Sequence, residues 1–318
     1  MTGVPAYPKV AALGHRAVED IWDGDVEVTE KIDGSQFAFG IVRGELHYRS
    51  KGRQIPRHSV QENDLFYPVI AHIEDIAERG LIIEEYWYYG ETLKSPKHST
   101  LSYARIPLNH FALFGVVNAD DEREWFPAGG LPAIADSLQV EVVKQLLRAG
   151  DWDAERIVAV IDAKHESQLG GPPMEGVVIK NLGKEYLYGP ILFPIMTAKF
   201  VSDGFKEVHQ RDWTKQNTGK GKWDVFQARF NNEARWMKSV QHMAEDGTLL
   251  GEPKDIGPLM NRVQKDIGEE CKEEIQDFLW RQFGRDLMRH STRGIPEWYK
   301  ERLALGEINP LLGDISDE

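Results

Sequence analysis

The sequence predicts an α+β fold, with an antiparallel β-rich part followed by a small all-α part, and three observations carry that prediction. From Val26 to about Phe126 the chain is rich in β-branched and aromatic residues in short alternating runs separated by Gly-containing turns, the period expected of half-buried strands. Two further apolar runs, "GVVIKN" and "PIMTAKFV", close this region before about Phe205. Beyond it Ile256, Leu259, Met260, Val263 and Ile267 recur at helical spacing, and Ile275, Phe278 and Leu279 continue the pattern.

Taken in order, "VEVTEKI", "QFAFGIV", "ELHYRS", "LIIEEYWYY" and "HFALFGVV" read as strands and hairpins. Two helices interrupt them. Over 61–79, Phe66, Val69, Ile70 and Ile73 follow helical spacing; over 133–149, "AIADSLQVEVVKQLLRAG" does so and ends on a glycine of the kind that stops helices. The stretch "DWTKQNTGKGKW" is polar, basic and Gly-containing, which marks 211–222 as a linker between a region 1–210 and a helical region 223–318. There is no internal repeat, so a solenoid is excluded.

With 318 residues, 41% of them hydrophobic and nine tryptophans, the chain can bury a sizeable core. It has no run of eighteen apolar residues, and "MTGVPAYPKV" lacks the charged-then-apolar order of a signal peptide, so a cytoplasmic protein without membrane contact is expected. Its single cysteine, Cys271, excludes an intrachain disulfide and a multi-thiolate zinc site. The histidines show no H-x-x-x-H pairing, so no zinc site is assigned. A net charge of −13 excludes a surface coated with positive charge, and a polyanionic partner would have to meet local basic stretches such as "RSKGRQIPRH", "KSPKH" and "KQNTGKGK".

The chemistry starts at "VTEKIDGSQF", where Lys31 stands between alternating strand positions and an Asp-Gly turn. Alone, such a lysine reads as a solvated charge at a hairpin edge; held in a walled site among cationic neighbours, it would have a depressed pKa and act as a nucleophile. Further segments follow in order: "YRSKG" (48–52), "YYGETL" (88–93), "HFALFGV" (110–116), "MEGVVIKN" (174–181) and "TAKFVSDGFKE" (197–207). With this series, over roughly 26–207, the chain resembles the covalent nucleotidyltransferase superfamily of ATP-dependent ligases and capping enzymes, and most closely the ATP-dependent RNA ligases of the RNA ligase 2 type and their phage relatives.

The resemblance implies an antiparallel-sheet nucleotidyltransferase domain that uses ATP and Mg²⁺ or Mn²⁺. It makes Lys31 the lysine that bonds to AMP and places Glu30 near the adenine. Lys51 takes the position of a basic residue contacting nucleotide or 5′-phosphate, with Arg49 and Arg53 as rivals. Glu91 resembles the acid on the ribose hydroxyls, with Glu84 and Glu85 as alternative registers. Phe114 resembles the aromatic that stacks on the purine, Glu175 the carboxylate serving the metal, and Lys180 and Lys199 the lysines at the phosphates. The family often has a second lysine two positions after the last; Val201 stands there, and Lys206 is a substitute for its charge. These residue types suit attack of an amine on the α-phosphorus, which builds negative charge that lysines and a hydrated metal can balance.

Between these motifs "GETLKSPKHSTLSYARIP" (90–107) sets Lys94, Lys97, His98 and Arg105 among Ser, Thr and Tyr103, a mixture suited to phosphate and sugar contacts and equally to a solvated loop. The implied activity is sealing of 5′-phosphate and 3′-hydroxyl RNA ends, in a nicked duplex or an RNA–DNA hybrid, with no obligate protein partner evident. A GTP-using capping enzyme and a DNA ligase are the alternatives within the superfamily, though both normally carry a β-barrel after the last motif where this chain turns helical. A catalytically silent RNA-binding protein of the same fold is the third.

Overall fold

In the computed structural model the described residues are 3–147, 153–201, 223, 226–227, 230–231 and 233–308. The expected linker at 211–222 and Lys206 lie outside them. Two sheets organise the first part of the chain. One has five strands in the order β1 (Ala11–Ala12), β13 (Met196–Val201), β10 (Gly176–Asn181), β2 (Val26–Lys31) and β9 (Gln145–Leu147). The other has six, in the order β5 (Gln54–Ile55), β4 (Glu45–Ser50), β3 (Ser35–Val42), β6 (Tyr86–Thr92), β7 (Phe111–Asn118) and β8 (Glu141–Val142). Most neighbours are antiparallel; β1–β13 and β7–β8 are parallel. A separate hairpin pairs β11 (Tyr186–Tyr188) with β12 (Ile191–Phe193).

Because strand side chains alternate between faces, each sheet has one face committed to an apolar core. On the six-stranded sheet Phe37, Phe39, Tyr88, Phe111, Leu113 and Val116 pack against Val69, Ile70, Ile73 and Ile76 of α1 (Tyr67–Glu78) and Leu131, Ala135 and Leu138 of α2 (Leu131–Leu138). On the five-stranded sheet Val26, Val28, Val177, Ile179 and Ala198 pack against Ile157 and Ile161 of α3 (Ala154–Asp162). On its other face the six-stranded sheet buries Ala38, Trp87, Tyr89 and Val117 with Val4 and Tyr7, and the other face of the five-stranded sheet carries Lys31. The turn Ile32–Gly34, joining β2 to β3, carries the chain from one sheet to the other.

The helix expected over 61–79 forms as α1, which starts only at Tyr67, where Pro68 suits the first turn. The helix expected over 133–149 is corrected. It ends at Leu138, with Gln139 in the left-handed conformation at φ 58°, and "VEVVKQLL" then supplies β8 and β9. Val140, Val142 and Val143 favour extended backbone, and each strand finds an open ladder, on β7 and on β2. Tertiary pairing overrode a helical pattern of apolar residues.

After residue 223 the described elements are helical: α4 (Glu233–Glu245), α5 (Ile256–Glu270), α6 (Lys272–Ser291) and α7 (Ile295–Ala304). The compact units are 1–265 and 266–318, so α4 belongs with the sheets. Among the described residues of the second unit, Cys271 and Gly284 are buried, whereas Trp280, Phe283 and Leu287 of α6 are exposed. Among the described residues no helix is long and apolar enough to cross a membrane.

Gly176 sets the approach of β10 to β13, because a Cβ there would overlap the Phe200 carbonyl oxygen. Gly176→Ala is expected to destabilise the protein by about 1–3 kcal/mol, as overpacking does. Gly129→Ala, where a Cβ meets nothing within 4 Å, should change stability by less than about 0.5 kcal/mol. Urea unfolding of both variants checks the contrast.

Candidate functional site

Lys31 is the last residue of β2, and its partner across the ladder is Gly176, the residue after Glu175. That register brings the Lys31 Nζ to 2.5 Å from Glu175 Oε2. Neighbouring pairs on the same ladder, Thr29↔Val178↔Lys199 and Glu27↔Lys180↔Thr197, put Lys180 and Lys199 on the face that carries Lys31. Three lysines from three strands thus share the face turned away from the Val26–Ala198 core.

Burial works to deprotonate Lys31, but the carboxylates of Glu175, Glu91 and Asp33, with the Glu175 hydrogen bond, outweigh it and hold its pKa above the ordinary lysine value. The expectation that cationic neighbours depress this pKa is therefore reversed in the protein alone. The nearest charges are acids, and the amine is an ammonium. Lys180 behaves differently. It is 3% exposed, and burial, opposed only by Glu27, pushes its pKa down to about 8.

Lys180 also joins the two sheets. The β6–β7 ladder pairs Tyr89 with Gly115 and Gly90 with Leu113, so Phe114 is the extra residue of a β-bulge with no residue opposite it. Its carbonyl oxygen accepts a hydrogen bond from Lys180 Nζ, which also lies 5.5 Å from the centre of the Phe114 ring, within reach of a cation–π attraction. Tyr7 packs edge-on against the same ring at 5.0 Å. The bulge leaves Val116 in the sheet's core while turning Phe114 towards Lys180.

Glu91, on β6 of the other sheet, is near enough to Lys31 for each to shift the other's titration. Burial first, then Glu245, Glu175 and Asp33, raise its pKa to about 8 against the pull of Lys31. Asp33 accepts hydrogen bonds from the backbone N–H groups of Thr100 and Leu101, both at 2.8 Å, and its own N–H donates to the Tyr103 hydroxyl at 2.7 Å. The segment 94–107 is thereby fastened to the turn that follows Lys31.

Glu30 faces the other way from Lys31. It is 2% exposed and accepts hydrogen bonds from Ser167 Oγ at 2.5 Å and the Gln168 N–H at 2.9 Å, so its carboxylate anchors the loop that leads to Glu175. Lys51 is exposed at the loop after β4 and lies close enough to Glu245 to stabilise that carboxylate's charge. Arg49, on β4, has a buried Nε with no hydrogen-bond partner among the described residues, and its charge acts on Tyr89. Arg53 donates from Nε to the Glu245 carbonyl at 3.4 Å.

In the 90–107 segment Lys97 is exposed, Lys94 donates to the Asn63 carbonyl, and Arg105 is held by Glu141 at 2.5 Å and by the Ile106 and Gln168 carbonyls at 3.1 Å. Arg105 is thus occupied in fixing the loop. Sequence reasoning missed the group brought by α4: Gln241 and Glu245, which bind Ser35 at the start of β3. Nothing in "SVQHMAEDG" beyond a polar stripe could have flagged it, because the contact joins residues more than two hundred positions apart.

Among the described residues no group of three His, Cys, Asp or Glu side chains could by itself hold a metal ion. One carboxylate, Glu175, already facing a cation in Lys31, fits an ion such as Mg²⁺ that takes few protein carboxylates and completes its shell with water and phosphate oxygens.

Lys31 paired with Glu175, and Lys180 bound to the Phe114 carbonyl of the other sheet, thus meet where the two sheets join. The chain belongs to the RNA ligase family, whose model matches residues 24–188, just over half of its length. Among solved structures it is similar to a Naegleria gruberi RNA ligase with PPi, at 18% identity and a TM-score of 0.48, covering 66% of this chain and 59% of that one. A mutant of that ligase with ATP and Mn matches at 17% identity and a TM-score of 0.47 over the same shares. The chain thus spans about 59% of the length of the solved ligases it matches. No curated protein matches it.

A buried carboxyl whose pKa rises from 4.5 unfolded to about 8 folded favours the native state fully below the unfolded value, and that contribution is lost as pH rises through 8. Glu91→Gln cannot ionise. Its melting temperature should therefore gain on the wild type between pH 5 and pH 9, by several degrees at the alkaline end; calorimetry across that range checks it, and a constant difference would show that Glu91 does not titrate there.

Proposed function

We propose that this chain is an ATP-dependent RNA ligase that seals 5′-phosphate and 3′-hydroxyl ends through a lysyl-AMP and a 5′-adenylylated strand. One observation carries the reading: Lys31 stands 2.5 Å from Glu175, both inside the family segment, on a strand face shared with Lys180 and, beyond that segment, Lys199. In the first step the Lys31 amine attacks the α-phosphorus of ATP, a P–N bond forms and pyrophosphate departs. In the second, an oxygen of the RNA 5′-phosphate attacks that phosphorus and the P–N bond breaks, returning the amine. In the third, the 3′-hydroxyl attacks the 5′-phosphate and AMP leaves.

The resting charge balance makes demands on the first step. Glu175 above all keeps the proton on Lys31, so the amine must be released before it can attack. Glu175 would hold a divalent ion, which would supply positive charge to free the amine and offset the charge developing on the phosphate oxygens. Lys180, whose pKa of about 8 leaves it ready to carry a proton, and Lys199 line the same face and neutralise the departing pyrophosphate. Phe114, held by Tyr7 and Lys180, offers the purine a stacking surface, and Glu91 accepts from the ribose hydroxyls. Glu30 acts by fixing the Ser167–Gln168 loop. Lys51, Arg49 and Arg53 supply positive charge for the 5′-phosphate, with Lys97 and Lys94 at the adjoining loop. The RNA ends are taken in a nicked duplex or an RNA–DNA hybrid, in the cytoplasm.

Labelled ATP or GTP with Mg²⁺ or Mn²⁺ tests the reading. A covalent AMP adduct that survives alkali and is released by acid, as a P–N bond is, is expected with ATP, and none above background with Lys31→Ala, which should still join pre-adenylylated RNA because that step bypasses the amine. A GMP adduct without an AMP adduct would indicate a capping enzyme, and no adduct at all a silent RNA-binding protein. A panel of nicked duplexes and single strands with RNA or DNA at each side of the break identifies the substrate.

Phe114→Ala should raise the ATP concentration needed for half-maximal adduct formation about 10- to 100-fold, as loss of one base–aromatic stack does, while sealing of pre-adenylylated ends changes less. Equal losses in the two assays would remove Phe114 from purine binding.

A further inference from the structure

The last turn of α4 and the residues after it lie outside the family segment, yet they enter the site. Glu245 is 4% exposed, and its Oε1 accepts hydrogen bonds from Ser35 Oγ and, at 3.0 Å, from Gln241 Nε2. Gln241 also reaches the Gly34 carbonyl at 3.2 Å and Ser35 Oγ at 3.1 Å. Ser35 Oγ lies 2.9 Å from His98 Nε2, and His98 Nδ1 accepts from the Lys94 N–H at 3.0 Å, which leaves Nε2 as the protonated nitrogen. A continuous hydrogen-bonded line therefore runs from α4 through Ser35 to the loop that Asp33 fastens. On the other side Arg53 donates to the Glu245 carbonyl, Asp246 lies against Gly52 and pairs with Arg262, and Gly247, at φ 63°, lets the chain pass close to Arg53.

We propose that Glu245 is a positioning residue for nucleotidyl transfer, locking the Ile32–Ser35 turn behind Lys31 and the Ser50–Arg53 loop into one arrangement. The inference rests on the ligase reading. A carboxylate taken out of water at a cost is best explained where both its geometry and its charge are used. The geometry is the grip on Ser35 and Gln241. Burial, the largest influence on Glu245, raises its pKa; once ionised, its charge reaches Glu91, the ladder partner of Gln36 next to Ser35, whose proton it helps to retain.

The groups around these two carboxyls all enter the balance. Lys31, Glu175 and Asp33 face Glu91 from β2, the loop before β10 and the turn, while Lys51 and Asp246 face Glu245, and neutral His98 completes the line. Removing only the charge at 245 should let Glu91 ionise at lower pH. Removing the side chain should loosen the turn as well.

Two variants separate these effects. Glu245→Gln keeps an oxygen to accept from Ser35 but carries no charge; Glu245→Ala removes both. The Glu91 carboxyl is followed by carbon-13 NMR of labelled glutamate, assigned by its loss in Glu91→Gln, and adduct formation by labelled ATP, with melting temperatures confirming that each variant folds. In Glu245→Gln the Glu91 midpoint and the pH profile of adduct formation should both move at least one unit to acid. In Glu245→Ala the rate constant for adduct formation should fall at least tenfold with little change in the ATP concentration needed, and Ser35→Ala in the same background should add less than its own effect. An unmoved Glu91 midpoint, or a Glu245→Ala rate within twofold of wild type, overturns the proposal. Absence of an adduct in the wild type itself defeats the ligase reading, and the NMR titration then still decides whether Glu245 acts on Glu91.

Discussion

The ion pair between Lys31 and Glu175 is the contact on which the rest of the site depends, and it exists because of a strand register. Pairing Lys31 with Gly176 places Glu175 just beyond the ladder, where its side chain turns back onto the amine. A slip of one residue would send Lys31 into the Val26–Ala198 core and bring Glu30 to the site, since strand side chains alternate. The register is protected by that core and by the close approach of β10 to β13 at Gly176. Glu30 adds a third restraint by holding the Ser167–Gln168 loop from the opposite face.

Electrostatics sets the charge of the candidate site. Glu175, Glu91 and Asp33 hold the proton on Lys31, while burial and then Glu245, Glu175 and Asp33 make Glu91 resist ionisation. Such a site stores unfavourable carboxylate proximity that an incoming cation relieves. Lys180 is set apart from this group. Buried between the sheets and bound to the carbonyl freed by the Phe114 bulge, it gives up its proton more easily than an ordinary lysine. One protein thus shifts two lysines in opposite directions, upwards by acid neighbours in one case and downwards by desolvation in the other.

Strand periodicity and turn chemistry were legible over most of 26–201, because each half-buried strand repeats its own pattern locally. The helix expected over 133–149 failed for the opposite reason: "VEVVKQLL" is apolar enough for either period, and the open edges of β7 and β2 decided. Lys31, Glu91, Phe114, Glu175, Lys180 and Lys199 lie inside ordered motifs and could be singled out as candidates from sequence. What each one touches could not. Arg105 proved to be a loop anchor, Glu30 faces away from Lys31, and the charge around Lys31 is acidic where cations were expected.

By itself the sequence determined the α+β class, the order of the motifs and the candidate amine, because these are written in local periods and in residue types at fixed spacing. Tertiary structure alone decided the proton on Lys31, the depressed pKa of Lys180 and the entry of Glu245 from α4. Those properties follow from distances between residues far apart in the chain and from how much water the fold excludes, and neither quantity has a local signature in the order of amino acids.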